Sequence, residues 1–171
     1  MEGNQLDRMV EHVHYVVVKL IEFFQKGNGW IVVMNPAPGY AKFASESMLE
    51  ATLVYLRNVY DFLTSRTGDA KRVVAQNYAP TWKRPARDVI SRHDEEEMNG
   101  RVCHIGVVRS TVTEEGAFDW TAFLNRVVPL VLATFRDYLH ELRAELREQF
   151  FQPTSAHQRT DLVAVIDTMI G

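Results

Sequence analysis

Apolar residues recur at steps of three and four along three long stretches of this chain, the spacing that places them on one face of an α-helix. The pattern predicts helices over about 6–26, 45–65 and 119–150. Pro129 lies inside the third stretch and predicts a kink near Asn125, because proline lacks the N–H that a helix needs. The three stripes comprise Leu6, Met9, Val10, Val13, Val17, Leu20, Ile21 and Phe24; Leu49, Leu53, Leu56, Val59, Tyr60 and Leu63; and Phe123, Val127, Leu130, Val131, Phe135, Tyr138, Leu139, Leu142 and Leu146.

Weaker signals predict three further helices between and after these stretches. A short helix is predicted over about 69–76 and a longer one over about 86–108. The longer one contains Gly100 and Gly106, each about 1 kcal/mol less favourable than alanine in a helix interior. These glycines either allow close helix packing or divide the segment. The apolar tail near the C-terminus predicts one more amphipathic helix, capped by Thr160.

The segment between the first two helices has a different character. Residues 30–34 (WIVVM) are rich in β-branched side chains, and the next six (NPAPGY) contain two prolines and a glycine. This composition predicts a short extended connector near residues 30–40, laid over the helices rather than paired in a sheet. The fold class predicted is therefore all-α, a single-domain helical bundle of four to six helices. Its core spans about 5–150, and the tail 151–171 is a candidate docking helix.

Composition and charge narrow the class of protein. The chain has 171 residues, of which 46% are hydrophobic, enough to fill a core without disulfides or a structural metal. A net charge of -3 gives no global attraction for nucleic acid. The lone cysteine, Cys103, excludes an intrachain disulfide and a multi-cysteine zinc site. Because no segment resembles a secretory signal or a membrane span, we expect a cytoplasmic protein without membrane association.

Several well-known catalytic motifs do not occur in the sequence. Residues 27–29 (GNG) lack the third glycine and the capped helix of a phosphate-binding loop. His12 and His14 are two residues apart, which on a helix points them about 200° from each other, so they cannot bind one metal ion together. The spacings of zinc proteases and serine hydrolases are missing as well. We therefore predict no metal and no cofactor.

One unusual polar group lies inside the second predicted helix. Arg57 and Asp61 are four residues apart and can pair along the helix. Asn58 is a poor helix former, so its place in an aromatic-rich helix calls for an explanation. Two interpretations remain open. The three side chains form either a buried latch bonded to neighbouring helices or a polar cluster that faces a cleft.

Two further segments carry candidate residues. Tyr78 and Trp82 flank a loop and most simply anchor it by burying large rings, since base stacking would require a basic groove around them. Arg101 and His104 are three residues apart on one helix face. An arginine beside a histidine disfavours the imidazolium, which leaves either a neutral histidine suited to proton transfer or a hydrogen-bonded histidine at the core margin. Cys103 is most simply a small core residue.

The order of these motifs resembles that of a group of uncharacterised bacterial helical proteins. They share an Arg-Asn-x-x-Asp-Phe helix, a loop with an aromatic residue and a tryptophan, and an Asn-x-x-x-x-His-x-x-x-x-Arg helix. The resemblance covers about residues 45–120 and implies a small helical bundle with no established activity. The matching positions are Arg57, Asn58, Asp61, Phe62, Tyr78, Trp82, Asn99, His104 and Arg109.

A more distant resemblance is to the HEPN class, helical bundles that are often dimeric and include metal-independent ribonucleases and toxins. Their signature is an arginine and a later histidine with four to six residues between them. Arg87 with His93 fits this spacing, whereas the residues in the slots before His104 are Glu97, Met98 and Asn99. The resemblance implies that His93 abstracts the 2′-hydroxyl proton of RNA while Arg87 stabilises the phosphorane charge.

Two other pairs belong to the same hypothesis. His104 with Arg101 would act in an altered geometry, and Arg8 with His14 also has the required spacing. In each case the resemblance implies that two protomers face each other across a dimer cleft. Ribonuclease assays on His93→Ala and His104→Ala test the idea.

For function, the sequence favours a binding or assembly protein that acts through self-association or a protein partner. The connector at 30–40 and the apolar segment 162–170 motivate this hypothesis, because four helices alone do not need them. The alternative is a HEPN-like metal-independent ribonuclease or toxin of a bacterial defence or toxin–antitoxin system, with RNA as the partner. A third option, a helical small-molecule sensor, requires an apolar pocket that no sequence pattern reveals.

Overall fold

The structure is a computed structural model that describes residues 3–27, 38–67, 73–83, 85, 89–102, 119–144, 146–147 and 161–170. These residues form six helices and no strand, which confirms the predicted all-α class. None of the described helices has the length and apolar composition needed to cross a membrane. The helices are α1 (Gly3–Gly27), α2 (Pro38–Thr64), α3 (Ala75–Tyr78), α4 (Arg92–Val102), α5 (Trp120–Glu141) and α6 (Leu162–Ile170).

Helix α2 is the centre of the bundle. It packs against α1, α3, α4 and α5, and α6 packs on α5. The predicted stripes supply most of the buried core, including the fully buried Leu20, Leu56 and Phe135. Leu130 is an exception because it is exposed. It lies outside the stripe that α5 buries, so its assignment to the core was wrong.

Helix α1 is held against α2 partly by aromatic rings. The ring of Tyr55 on α2 stacks on Phe23 at a centroid distance of 5.7 Å and meets Tyr15 edge-on at 6.4 Å. Offset-stacked and edge-to-face pairs are the favoured geometries of aromatic side chains. These contacts fix which residues of the two helices face each other.

The start of α2 differs from the prediction. The helix begins at Pro38 rather than near residue 45, so the extended connector predicted near residues 30–40 is wrong at 38–40. Proline is favoured in the first turn of a helix, where its missing N–H would have no intrahelical partner anyway. Residues 30–37 lie outside the described residues.

Helix α4 begins later than the helix predicted over about 86–108. It begins at Arg92 because Ser91 caps it: the Ser91 hydroxyl accepts a hydrogen bond from the Asp94 N–H at 3.0 Å and donates to the Asp94 carboxylate at 2.9 Å. Gly100 lies inside α4, and an added Cβ there would meet no atom of the described residues within 4 Å. Gly100 therefore does not divide the helix, and no contact with the described part of the chain requires a glycine there. Gly106 lies outside the described residues, and the short helix predicted over 69–76 is found at 75–78.

The last long helix ends earlier than predicted. Helix α5 is capped by Asp119, whose carboxylate accepts from the Ala122 N–H at 2.9 Å, and it continues through Pro129 to Glu141. Leu142 then has an extended backbone, so the prediction of one helix to residue 150 is wrong. Arg147 donates to the carbonyls of His140 at 2.7 Å and Leu142 at 3.2 Å, which satisfies acceptors that the helix end leaves open. The kink near Asn125 stays a prediction.

The C-terminal helix α6 is part of the bundle. Asp161, not Thr160, caps it by accepting from the Ala164 N–H at 3.1 Å. Leu162 and Ile166 are fully buried, and Arg136 on α5 donates to Asp167 at 2.9 Å. The apolar positions that suggested a docking role are therefore largely covered by this protein's own α5.

Candidate binding groove

A groove of about 490 Å³ lies between the first half of α1 and the second half of α2. Its floor consists of buried apolar side chains, and polar side chains form its rim. Met9, Val54 and Val73 complete the lining. The floor residues are Val13, Val16, Val59, Phe62 and Val74, and the rim residues are His12, Arg57, Asn58, Asp61 and Ser65. We call this site the α1–α2 groove.

Helical spacing explains why these residues meet. On α2, positions 54, 57, 58 and 61 follow steps of three and four, so their side chains lie on one face of the helix, and Ser65 comes directly after its end. On α1, positions 9, 12, 13 and 16 follow the same rule. On α2 these positions lie beside the apolar stripe that the helix buries, whereas on α1 Met9 and Val13 belong to that stripe and Val16 is buried next to it. When the two helices pack together, these positions meet and line the groove.

The predicted Arg57–Asp61 pair is present and faces the groove. Arg57 Nε and Asp61 Oδ2 are 3.6 Å apart, and the side chains are 31% and 43% exposed. A separation of 3.6 Å exceeds hydrogen-bond length, and a half-exposed pair of this kind contributes only about 0.2–1 kcal/mol to stability. Asn58 is exposed as well. These three residues are therefore not buried, and all three line the α1–α2 groove.

A second, polar cleft of about 800 Å³ lies between the end of α2 and α4. Asn99, another residue of the predicted cluster, lines this cleft together with Tyr60 and Glu95. Burial raises the pKa of the Tyr60 hydroxyl, and the negative charges of Glu95 and Asp61 raise it further, to about 12. Tyr60 thus stays protonated at neutral pH. Asp61 lines both this cleft and the α1–α2 groove.

Tyr78 and Trp82 lie in the core and not at a site. The Trp82 indole N–H donates to the Leu63 carbonyl at 3.2 Å, and its ring meets Tyr138 edge-on at 5.3 Å. The Tyr78 ring is 6.3 Å from that of Phe62. Both side chains anchor the loop, as the first interpretation predicted, and their burial leaves no face for a base to stack on.

The predicted catalytic residues are not brought together among the described side chains. His93 is exposed in the first turn of α4 and lines neither cleft. Arg101 lies near the end of α4, with its side chain outside the described ones, while Arg87, His104 and Arg109 lie outside the described residues altogether. His14 is buried. Within the described part of the chain, no group of three His, Cys, Asp or Glu side chains is placed to hold a metal ion.

His12 and Val54 are among the groove residues that sequence reasoning missed. His12 was considered only as a metal ligand, yet it lies on the rim, and Val54 was not in any predicted stripe although 44% of its surface is exposed beside the groove. Neither has a signal in the sequence, because their role depends on which face of α1 meets α2. Comparisons with models of protein families, with curated proteins and with solved structures found no match. The site is therefore interpreted from its own geometry and chemistry.

Proposed function

We propose that this chain is a binding protein whose ligand occupies the α1–α2 groove. One observation carries the proposal: a concave site combines buried apolar side chains with a few polar groups at its rim. Ligand sites in proteins have this composition, and their volumes are commonly about 300–1,000 Å³. The groove volume of about 490 Å³ falls in this range.

The rim supports the proposal because its polar groups are suited to recognition. Arg57 and Asp61 provide opposite charges within 3.6 Å of each other, and Asn58 on the same face can donate and accept hydrogen bonds. Val54 adds an apolar contact that is accessible from solvent. Such polar groups fix the orientation of a ligand, while the apolar floor supplies most of the attraction.

The sequence favoured a binding or assembly protein and offered a small-molecule sensor as a third option. The present proposal keeps the binding role and takes a small molecule as the ligand. Self-association stays a prediction. Light scattering at micromolar concentration tests it, and a strictly monomeric protein would contradict it. The ribonuclease hypothesis also stays a prediction, with the assays on His93→Ala and His104→Ala as its test.

An uncharged apolar dye, Nile red, tests the proposed site without assuming a ligand. We expect saturable fluorescence enhancement with the wild-type protein. Asn58→Trp places a large ring at the rim and should weaken dye binding by about tenfold or more. The matched control is Asn125→Trp, since Asn125 is also an exposed helical asparagine but lines neither cleft. Equal dye binding by both variants and the wild type would contradict the proposal.

A further inference from the structure

We draw no further inference here: the strongest candidate, the apolar floor of the α1–α2 groove, belongs to the binding site already proposed, and nothing among the described residues shows which class of ligand covers it.

Discussion

Helix α2 meets α5 and α1 in different ways. Towards α5, the ring of Phe62 lies in a filled cluster with Phe135 and Tyr138, at centroid distances of 6.3 and 5.3 Å. Towards α1, the same helix borders an open groove in which Asn58 and part of Val54 are exposed. Phe62 belongs to both regions, since it also forms part of the groove floor. The filled contact with α5 fixes the position of α2. It thereby supports the wall that α2 contributes to the open groove.

This difference predicts that the two regions respond differently to substitution. Removing atoms from a filled contact leaves a cavity and forfeits dispersion contacts on every side. Changing a residue at the rim of an open groove exchanges one solvated side chain for another. Variants of the α2–α5 contact should therefore change stability, and variants of the groove should change binding.

The largest expected effect is that of Phe135→Ala. Phe135 is fully buried, and we expect a loss of about 3–5 kcal/mol in the free energy of unfolding. Urea unfolding followed by circular dichroism measures it. Leu130→Ala is the control, because Leu130 is an apolar residue on the same helix but is exposed, so its loss should be below about 1 kcal/mol. Similar losses for both variants would show that the α5 contact is not the filled region described here.

The next effect concerns the contact between α4 and α5. Arg126 donates to Asp94, whose side chain is only 9% exposed, and Arg126→Ala should remove roughly 1–3 kcal/mol because it leaves a buried carboxylate with fewer donors. The control is Arg92→Ala, an exposed arginine whose pair with Glu96 is expected to contribute less than about 0.5 kcal/mol. If Arg126→Ala loses no more stability than the control, the hydrogen bond from Arg126 to Asp94 does not stabilise the contact between α4 and α5.

The same contact predicts a dependence of stability on pH. Burial raises the pKa of the Asp94 carboxyl, but hydrogen bonds from Arg126 and Ser91 lower it by more, so that it lies below the ordinary 3.8. A lowered pKa in the folded state stabilises the protein above pH 3.8, and this contribution is lost as the pH falls through the lowered value. The free energy of unfolding, measured with urea, should fall between neutral pH and pH about 2, and it should fall less in Arg126→Ala than in the wild-type protein. An equal loss of stability at low pH in both proteins would contradict the role of Arg126 in lowering the pKa of Asp94.

Gly100→Ala should stabilise the protein by about 0.5–1 kcal/mol, because alanine restricts the unfolded chain and its Cβ meets open space in α4. Ala51→Gly in the middle of α2 is the reverse change and should destabilise by a similar amount or more. Thermal unfolding measures both. Destabilisation by Gly100→Ala would show that the glycine is needed for a contact or a backbone conformation.

Only a small change in stability is expected from Arg57→Ala in the groove. Its pair with Asp61 is partly exposed, so the free energy of unfolding should fall by no more than about 1 kcal/mol. Urea unfolding measures this loss. A large loss of stability would place Arg57 in the structural framework and not at the site.

The sequence predicted the filled region better than the open one, for physical reasons. The helical stripe that buries Leu56 and Leu63 is a local pattern, and it is present in the structure as predicted. The end of α5 was not predictable, because it depends on Arg147 folding back to the carbonyls of His140 and Leu142. No glycine or proline marks that end.

The groove was only partly visible in the sequence. Arg57, Asn58 and Asp61 were recognised because a polar group inside a helix is unusual, but the sequence could not decide whether they were buried. His12 and Val54 joined them only through the packing of α1 on α2, which is a tertiary contact. A binding site that lies between two helices has no continuous signature along the chain.

Amide NMR spectra of the isotope-labelled protein, titrated with Nile red, test the central claim most directly. The account predicts that shift changes concentrate in the first half of α1 and the second half of α2, with the largest near Val16, Asn58 and Asp61. They should disappear in Asn58→Trp and persist in Asn125→Trp. Shift changes that instead cluster on α5 and α6, or that survive Asn58→Trp unaltered, would contradict the assignment of the α1–α2 groove as the binding site.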